Sequence, residues 1–200
     1  MYTEGGMPRP REFRPEHVLD EAIQQFWVRG YRATSVDDLV KASGVKPGSL
    51  YGVFPGGKRE MLLGSLEQYS RQVVPQMLGE LEQPGASLAE LRAFFESRVE
   101  DLLTDDGHRG CLLVNAAVEL AAQDDGVAAI VRTHQARMQQ CFESVLSTAL
   151  ARGEISASIT PASSAVLLVA VSFGLIVIGK ANPDPEVMYA IVDTAFAGLH

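Results

Sequence analysis

Residues with hydrogen-bonding side chains, or with no side chain at all, lie on one face of a short predicted helix. Lys46, Ser49 and Tyr51 supply an ammonium group and two hydroxyl groups, and Gly48 permits close approach. Groups of this kind contact phosphate oxygens and the acceptor atoms that base pairs present in the DNA major groove. The chemistry predicted for this face is therefore non-covalent recognition of DNA.

Two short helices joined by a tight turn must position this face. The first is predicted to begin with Thr34 as N-cap and Asp37 as its capping-box partner. Gly44 can adopt the left-handed backbone that a steep turn between helices needs. Pro47 pre-sets the first turn of the second helix, whose Leu50 is expected to be buried. This pattern predicts a helix-turn-helix, whose second helix enters the major groove.

The flanking segments resemble the TetR family of bacterial transcriptional repressors. That family's first helix and Gly-Tyr-x-x-Thr-Ser link are similar to EFRPEHVLDEAIQQFWVRGYRATSV, residues 12–36. Its Ser-Leu-Tyr-x-x-Phe-x-x-Lys-x-x-Leu segment is similar to SLYGVFPGGKREMLLGSLEQY, residues 49–69, with one extra residue before Lys58. The resemblance covers about residues 13–70 and rests on several elements in the right order.

The resemblance implies an all-α chain, with an N-terminal three-helix DNA-binding head and a six-helix body that binds a ligand and dimerises. We expect a disordered tail over 1–12, the helix-turn-helix domain over 13–56 and the body over 57–200. The residues expected to hold phosphates are Thr34, Ser35, Tyr51 and Lys58. The residues expected to read base edges are Lys46, Pro47, Gly48 and Ser49.

Apolar residues recur at helical spacing through the chain, without the alternation typical of strands. The first helix is predicted over about 15–30, where Pro15 marks its start. Further helices are expected over about 57–78 with a kink at Pro75, 88–104, 111–123, 125–152, 161–180 and 185–199. With the two short helices of the turn motif, this makes nine.

The net charge of -8 is unevenly distributed. Residues 1–60 carry nine basic and eight acidic side chains, whereas residues 61–200 carry eight basic and seventeen acidic ones. The asymmetry favours a DNA-binding head on an acidic body that DNA repels. Because the head is nearly neutral, phosphate contacts must be few, and affinity must come from a dimer and from directed contacts.

The resemblance also implies an effector pocket among the middle helices. The candidate lining residues are Phe94, Phe95, Arg98, Asn115, Val118, Glu119, Met138 and Phe142. An apolar lining with a few polar groups favours a small, partly hydrophobic effector. The alternative for most of the apolar members is that they belong to the core.

The string RGCLLVNAAVELA resembles a subset of the family in which Gly-Cys-Leu-x-x-Asn opens the sixth helix and some members sense electrophiles or oxidants. A thiol in the first turn of a helix faces its positive end, and His108 and Arg109 precede Cys111. The alternative is that Cys111 is a small packed residue. Cys141 is expected in the core.

The last two helices resemble the four-helix dimer interface of the family. The helix over 161–180 is too apolar for a free surface, and its longest apolar run is too short to span a bilayer. The residues expected at the interface are Val169, Phe173, Ile176, Ile191 and Ala195. A two-fold dimer predicts a palindromic operator. The alternative is that both helices complete the monomer core.

Catalysis and metal binding are not expected. The four histidines are scattered, and we interpret His134 as part of a solvated polar face. No Gly-x-Ser-x-Gly elbow occurs, and two cysteines predict neither a disulfide framework nor a zinc site. We therefore expect a cytoplasmic, ligand-responsive repressor without cofactor, metal or membrane partner; the alternative is a thiol-based switch acting through Cys111.

Overall fold

The computed structural model describes residues 14–200, and the secondary structure over these residues is helical. The helices are α1 (Pro15–Arg29), α2 (Val36–Ser43), α3 (Pro47–Val53), α4 (Gly57–Leu78), α5 (Leu88–Leu102), α6 (Leu112–Leu120), α7 (Asp125–Ala151), α8 (Pro161–Ala181) and α9 (Pro185–Ala197). A 3-10 turn at Gly107–Arg109 lies between α5 and α6. Within the described range the all-α prediction is confirmed, and each helix ends within a few residues of its predicted bounds. The tail predicted over 1–12 lies outside that range.

The first three helices pack around a small apolar core. α1 buries the inner stripe that its helical spacing indicates, from Val18 to Phe26. Leu39 of α2 and Leu50 of α3 are fully buried, and Val45 in the turn between them is also buried. Because Leu50 is the buried residue of α3, the polar residues of this helix face outward.

The start of α2 differs from the prediction. Ser35 is the N-cap, and its Oγ accepts a hydrogen bond from the backbone N of Asp38 at 3.1 Å. The Asp38 carboxylate accepts one in return from the Ser35 backbone N at 2.9 Å. Thr34 is 1% exposed, and its hydroxyl donates to the Gly30 carbonyl oxygen at 2.7 Å. Two overlapping capping-box frames exist in the sequence, and burial of Thr34 selects the later one.

α4 connects the head to the body. It packs against α1 on one side and against α7 on the other. The amide of Gln68 donates to the Asp20 carboxylate at 2.6 Å, which ties α4 to α1. The helix is continuous through Pro75, where a kink was predicted, and ends at Leu78.

The body is built on the long helix α7, which packs along α8, while α5 and α9 cover α8 from the other side. An aromatic cluster joins three of these helices. The ring of Phe95 lies 5.3 Å from that of Phe94, 5.8 Å from Phe142 and 5.6 Å from Phe196, measured between centroids. Edge-on and tilted contacts of this kind stabilise a core beyond simple area burial.

α8 is long and apolar enough to cross a membrane by length and composition, the one such helix within residues 14–200. The apolar run predicted to be too short to span a bilayer covers residues 165–179, and the helix that contains it extends beyond the run at both ends. About a third of its most apolar stretch is buried inside the chain. The remaining apolar surface includes Val166, Leu167 and Val177, which are exposed.

Candidate DNA-reading surface and ligand cavity

One side of α3 presents five exposed residues, which we call the reading face: Lys46, Pro47, Gly48, Ser49 and Tyr51. Tyr51 is 47% exposed, so its hydroxyl is free to reach a partner outside the chain. Lys46 occupies the N-cap position without a capping hydrogen bond from its side chain. The arrangement offers an ammonium group and two hydroxyl groups on a surface small enough to enter a groove.

Of the two residues before α2, one remains at the surface and one does not. Ser35 is exposed, and its hydroxyl donates to the Asp38 carboxylate at 2.6 Å. The hydrogen bonds from Ser35, with a smaller effect of Arg29 at 3.1 Å, hold the pKa of Asp38 at about 2. The predicted phosphate contact by Thr34 is contradicted, because that side chain is buried and its hydroxyl bonds to backbone.

Lys58 faces the head–body joint instead of the reading side. Its Nζ lies 4.1 Å from the centroid of the Tyr31 ring, a cation–π contact. Burial lowers the pKa of Lys58, and the nearby Glu119 carboxylate partly opposes that shift. The predicted phosphate contact by Lys58 is therefore not supported, since the ammonium is already engaged within the chain.

Two residues at the start of α1 lie beside the reading face and were missed in the sequence. Arg14 and His17 line a surface recess together with Lys46 and Ser49. Both are exposed, so a cation from α1 adds to the positive charge next to α3. The sequence feature that could have indicated this is Pro15, which marks the start of α1. A helix that begins there places Arg14 and His17 together at one end of the head.

A cavity of about 340 Å³ lies between α1, α4, α5, α7 and α8. Its volume is within the range of small-molecule sites, and its lining is mainly apolar. The lining residues are Trp27, Tyr69, Val73, Met77, Arg98, Asp101, Leu102, Thr104, Asp106, Gly107, Gly110, Cys111, His134, Met138, Ser172, Phe173 and Ile176. Arg98 and Met138 are the two predicted ligand residues that the structure brings to this cavity. The guanidinium of Arg98 pairs with the Asp101 carboxylate at 2.7 Å.

His134 is a cavity residue that the sequence interpretation placed wrongly. It is 4% exposed, not part of a solvated face, and its ring stacks on Phe173 with centroids 6.1 Å apart. Burial, with a smaller effect of Arg137, lowers the pKa of His134 to about 4, so the imidazole is neutral at physiological pH. The signal was the helical spacing of His134 with Val131 and Met138, both buried on the same face of α7.

The three aromatic residues predicted to line the pocket belong to the core. Phe95 and Phe142 are completely buried, and Phe94 is nearly so. None of them borders the cavity. Their rings contact one another and Phe196, as described above, which leaves no face for a ligand. Helical spacing predicts that these aromatic residues are buried. It does not distinguish a residue that packs against another ring from one that borders a cavity.

Two further predicted ligand residues lie on the far side of α6. Val118 is 77% exposed and points to solvent. Asn115 is used within the chain: its amide donates to the carbonyl oxygen of Arg109 at 2.8 Å, and its oxygen accepts from Lys180 at 3.0 Å. These bonds tie the start of α6 to α8, and Asn115 does not border the 340 Å³ cavity.

Glu119 at the end of α6 joins the body to the head; with Asn115 and Val118 it lines a separate surface recess between α1, α6 and α8, and not the 340 Å³ cavity. Its carboxylate accepts hydrogen bonds from the backbone N–H of Tyr31 at 2.9 Å and of Arg32 at 2.7 Å. A second joint is the two-pronged pair of Arg59 with Asp124, at 2.7 and 2.9 Å. Asp124 is also the N-cap of α7. The head is thereby tied to both ends of the loop between α6 and α7.

Cys111 lies at the N-cap of α6 and its thiol borders the cavity. The hydroxyl of Tyr69 lies 3.9 Å from the Cys111 Sγ. Burial raises the pKa of the Cys111 thiol, and the backbone N–H groups of α6 oppose the shift only in part. The expected lowering by the helix end is thus outweighed by desolvation. Cys141 is buried in the core, as predicted.

The cavity wall nearest the head is made of backbone. The indole N–H of Trp27 donates to the carbonyl oxygen of Gly110 at 3.0 Å. Gly110 has a φ of 63°, and a Cβ there would lie 2.9 Å from Lys180 and 3.0 Å from Ile176. At Gly107 a Cβ would overlap the carbonyl oxygen of Leu102. Neither position has room for a side chain.

Three of the five residues predicted at the dimer interface do not lie on the exposed face of α8 and α9. Val169 and Ile176 are buried within the chain, and Phe173 borders the cavity. The helix is apolar on all sides, so its sequence does not reveal which side faces inward. A shallow apolar groove between α8 and α9 contains Ile191 and Ala195, both half-buried. Other apolar residues of this groove are Leu167, Val171 and Val187.

Over residues 14–200, no group of three or more His, Cys, Asp or Glu side chains is placed to hold a metal ion.

The sequence matches two family descriptions. Residues 18–64 match the one described as bacterial regulatory proteins, tetR family. Residues 87–195 match the one described as tetracyclin repressor-like, C-terminal domain. Together the two matches span the head and most of the body.

Relatives are similar over most of their length. The chain is 27% identical over 194 residues to the uncharacterized HTH-type transcriptional regulator YezE of Bacillus subtilis, covering 96% of this chain and 100% of the relative. It is 30% identical over 169 residues to the transcriptional regulator AcuR of Cereibacter sphaeroides, covering 76% and 74% respectively.

A similar solved structure is that of a cysteine mutant of the TetR family regulator CifR, complexed with a 26-base-pair double-strand operator DNA. The TM-score is 0.80 at 27% identity, over 96% of this chain and 100% of the other. Fold, head and body therefore agree with the sequence matches. This chain belongs to the TetR family.

Proposed function

We propose that this chain is a dimeric transcriptional repressor that binds a palindromic operator and is released by a small, partly hydrophobic effector. One observation carries the proposal: α1 is shared by the two candidate sites. Arg14 and His17 at its start line the recess beside the reading face, and its Trp27 forms part of the cavity wall. A ligand in the cavity therefore contacts the helix whose first turn lies next to the reading face.

The DNA contacts follow from the exposed groups. Tyr51 contacts a phosphate, and Ser35 does so when its hydroxyl turns from the Asp38 carboxylate to the DNA. Lys46 with Pro47, Gly48 and Ser49 meets base edges. Arg14, at the edge of the same surface, adds one cation. Few charges are available, so two heads on one duplex are needed for useful affinity. The operator complex of the similar protein CifR supports the same partner for this chain.

The exposed groove of α8 and α9 serves as the dimer interface. Leu167 is 58% exposed and Val187 is 41% exposed, next to the half-buried Ile191 and Ala195. A contiguous apolar surface of this kind is unusual on a monomer and is typical of a protein interface. A two-fold arrangement of the pair gives a four-helix contact and sets the spacing of two reading faces. In this proposal the head comprises residues 13–56 and the body comprises residues 57–200. The protein acts in the cytoplasm, where it can reach its operator DNA.

The effector acts through the joints that connect cavity and head. Trp27 and Gly110 are hydrogen-bonded across the cavity wall, and Glu119 holds the link after α1 from the other end of α6. A ligand that displaces this wall changes the position of α6 relative to the head. It releases DNA only if it binds more tightly to the conformation that does not fit the operator.

The test is a mobility-shift assay with the DNA that flanks the protein's own gene. Two protomers should bind one palindromic segment, and shortening the segment to one half-site should abolish the shift. Binding that is unaffected by the removal of one half-site contradicts the dimeric repressor.

A thiol-based switch through Cys111 is the second candidate, because the thiol borders the cavity beside the Tyr69 hydroxyl. A reagent that enters the cavity would meet it. Against this, burial raises the pKa of the thiol, and the thiol, not being ionised, is a weak nucleophile. The balance of these observations supports a reversible ligand, and the alkylation experiment described below separates the two.

A further inference from the structure

Two of the residues that line the cavity each have a buried nitrogen atom without a hydrogen-bond partner among the described residues. These atoms are Nδ1 of His134 and Nε of Arg98. Buried polar groups in native proteins are nearly always hydrogen-bonded, so each unpaired atom calls for an explanation. Both residues line the same cavity, which indicates that a ligand supplies the missing partner.

The polar groups of the cavity carry little net charge that a ligand could neutralise. His134 is neutral, for the reasons given above. Burial raises the pKa of Tyr69, so its hydroxyl stays protonated and can donate. The charge of Arg98 is balanced by Asp101, and the second carboxylate that borders the cavity, Asp106, is paired with Arg109 at 2.9 Å. An anionic ligand would be desolvated here without a free cation to pair with, which is unfavourable.

The apolar walls are suited to a ring. Trp27 and Tyr69 meet edge to face with centroids 5.2 Å apart, and Phe173 is stacked with His134 at an interplanar angle of 14°. The remaining contacts include the flexible side chains of Met77 and Met138. Thioether groups adapt to aromatic ligands and make favourable contacts with their edges.

We infer that the effector is an uncharged, ring-containing molecule with a carbonyl or hydroxyl oxygen, and that His134 is the residue that binds this oxygen. The inference rests on the proposed function, because it assigns the chemistry of that same cavity. Nδ1 of His134 donates to a carbonyl in one tautomer and accepts from a hydroxyl in the other. Nε of Arg98 can only donate, so it meets the same oxygen or a second one.

Three probes of similar ring size separate the chemistry of the ligand. Tetralone carries a ketone on two fused rings, tetralin has the same rings without oxygen, and naphthoate carries a carboxylate. Trp27 is the one tryptophan of the chain and lines the cavity, so its fluorescence reports binding there, with calorimetry for the affinities. We expect tetralone to bind about tenfold more tightly than tetralin, as one net hydrogen bond implies, and naphthoate to bind most weakly.

His134→Phe retains the ring beside Phe173 and removes Nδ1. In this variant tetralone should lose its roughly tenfold advantage, while tetralin binds as well as before. His200→Phe makes the same substitution at an exposed residue that lines neither the cavity nor the recess beside the reading face, and should leave the order of the three probes unchanged.

The inference is overturned if wild-type protein binds tetralin as tightly as tetralone, binds naphthoate most tightly, or binds none of the three. A preference for tetralone that survives in His134→Phe overturns the role of His134. DNA binding is measured separately on the wild-type protein by mobility shift. Failure of the probes with DNA binding intact removes this ligand class alone, whereas the expected probe order without DNA binding removes the repressor proposal alone.

Discussion

The carboxylate of Glu119 accepts hydrogen bonds from two consecutive backbone N–H groups, those of Tyr31 and Arg32. These N–H groups belong to the link between α1 and α2, and Glu119 belongs to the end of α6, so the contact joins head and body across 88 residues of sequence. Both N–H groups face away from any helix that could satisfy them. The Glu119 side chain is therefore one of the contacts that set the position of the reading face relative to the body, together with the Trp27–Gly110 hydrogen bond.

Glu119→Ala should lower the free energy of unfolding by about 1–3 kcal/mol, because it leaves two amide donors without their acceptor. Chemical denaturation measures the change. Glu67→Ala is a matched control, since Glu67 is exposed and makes only a loose 3.9 Å pair with Arg71. Equal stability of the two variants would show that the Glu119 contact is not formed in solution.

Lys46→Ala should weaken operator binding by about 1–3 kcal/mol and also change which sequences are preferred, as expected for a base-edge contact. Competition mobility shifts with altered operators measure both effects. Arg132→Ala, an exposed cation on α7, should change neither. A uniform loss across all sequences would instead assign Lys46 to a phosphate.

Tyr51→Phe should weaken binding to all DNA sequences alike, because the hydroxyl is expected to meet a phosphate. The loss should be about 1 kcal/mol, the typical net contribution of a single hydrogen bond. The fold should be unaffected, since the hydroxyl lies on an exposed side chain. Wild-type affinity in this variant would place the Tyr51 hydroxyl away from DNA.

Leu167→Glu should convert the dimer to a monomer and abolish operator binding, because a carboxylate would be buried against the partner chain without a counter-ion. Size exclusion with light scattering measures the oligomeric state. Val118→Glu introduces the same charge at a site of 77% exposure on α6 and should remain dimeric. A stable Leu167→Glu dimer would mean that another surface forms the interface.

The stability of the protein should fall as the pH drops from about 6.5 to about 4. Burial lowers the pKa of His134 to about 4 in the folded state, against 6.5 for the ordinary side chain. Over that range the unfolded chain binds a proton that the folded chain does not, so protonation favours unfolding. The charged group that acts on the imidazole is Arg137 on α7, which is itself paired with Glu82, while the paired Arg98 and Asp101 of α5 line the same cavity. The loss should be about 2–3 kcal/mol, from the size of the shift.

His134→Phe removes this titration, so its unfolding free energy should vary less with pH over the same range. Identical pH profiles for the wild-type protein and the variant would show that His134 is already charged, or solvent-exposed, when folded.

Iodoacetamide should modify Cys111 slowly in the native protein, because burial raises the pKa of the thiol and little thiolate is present near neutral pH. Mass spectrometry of timed samples measures the rate at each cysteine. Cys141, whose pKa burial raises to about 11, is the internal reference. If Cys111 reacts far faster than Cys141 and the modified protein releases DNA, the thiol switch replaces the reversible effector.

Helix positions could be predicted well, because glycine and proline mark most of the ends. Pro15, Pro161 and Pro185 each begin a helix in the structure, as the sequence indicated. The reading face was predictable for a related reason: Leu50 is the only fully buried residue of a very short helix, so the exposed side follows directly.

The walls of the cavity could not be predicted from spacing. Phe142 and Met138 lie one turn apart on α7 and are both buried, yet only Met138 borders the empty space. Periodicity identifies the inner side of each helix but not whether the facing helix fills the gap. α8 adds a further difficulty, since Phe173 points inward and Leu167 outward on a helix that is apolar all round.

The glycine wall has a consequence for anyone who wishes to retune this protein as a biosensor. Gly107 and Gly110 contribute only main chain to the cavity, and neither tolerates a Cβ without displacing Leu102 or Ile176. New ligand preferences cannot be introduced by mutating that side. Libraries should instead vary side chains on the other walls, for example Met77, which lines the cavity with its side chain. The two glycines must therefore be kept, because they form the wall that links the bound ligand to the head. The side chains on the other walls are the ones that can be changed to alter ligand preference.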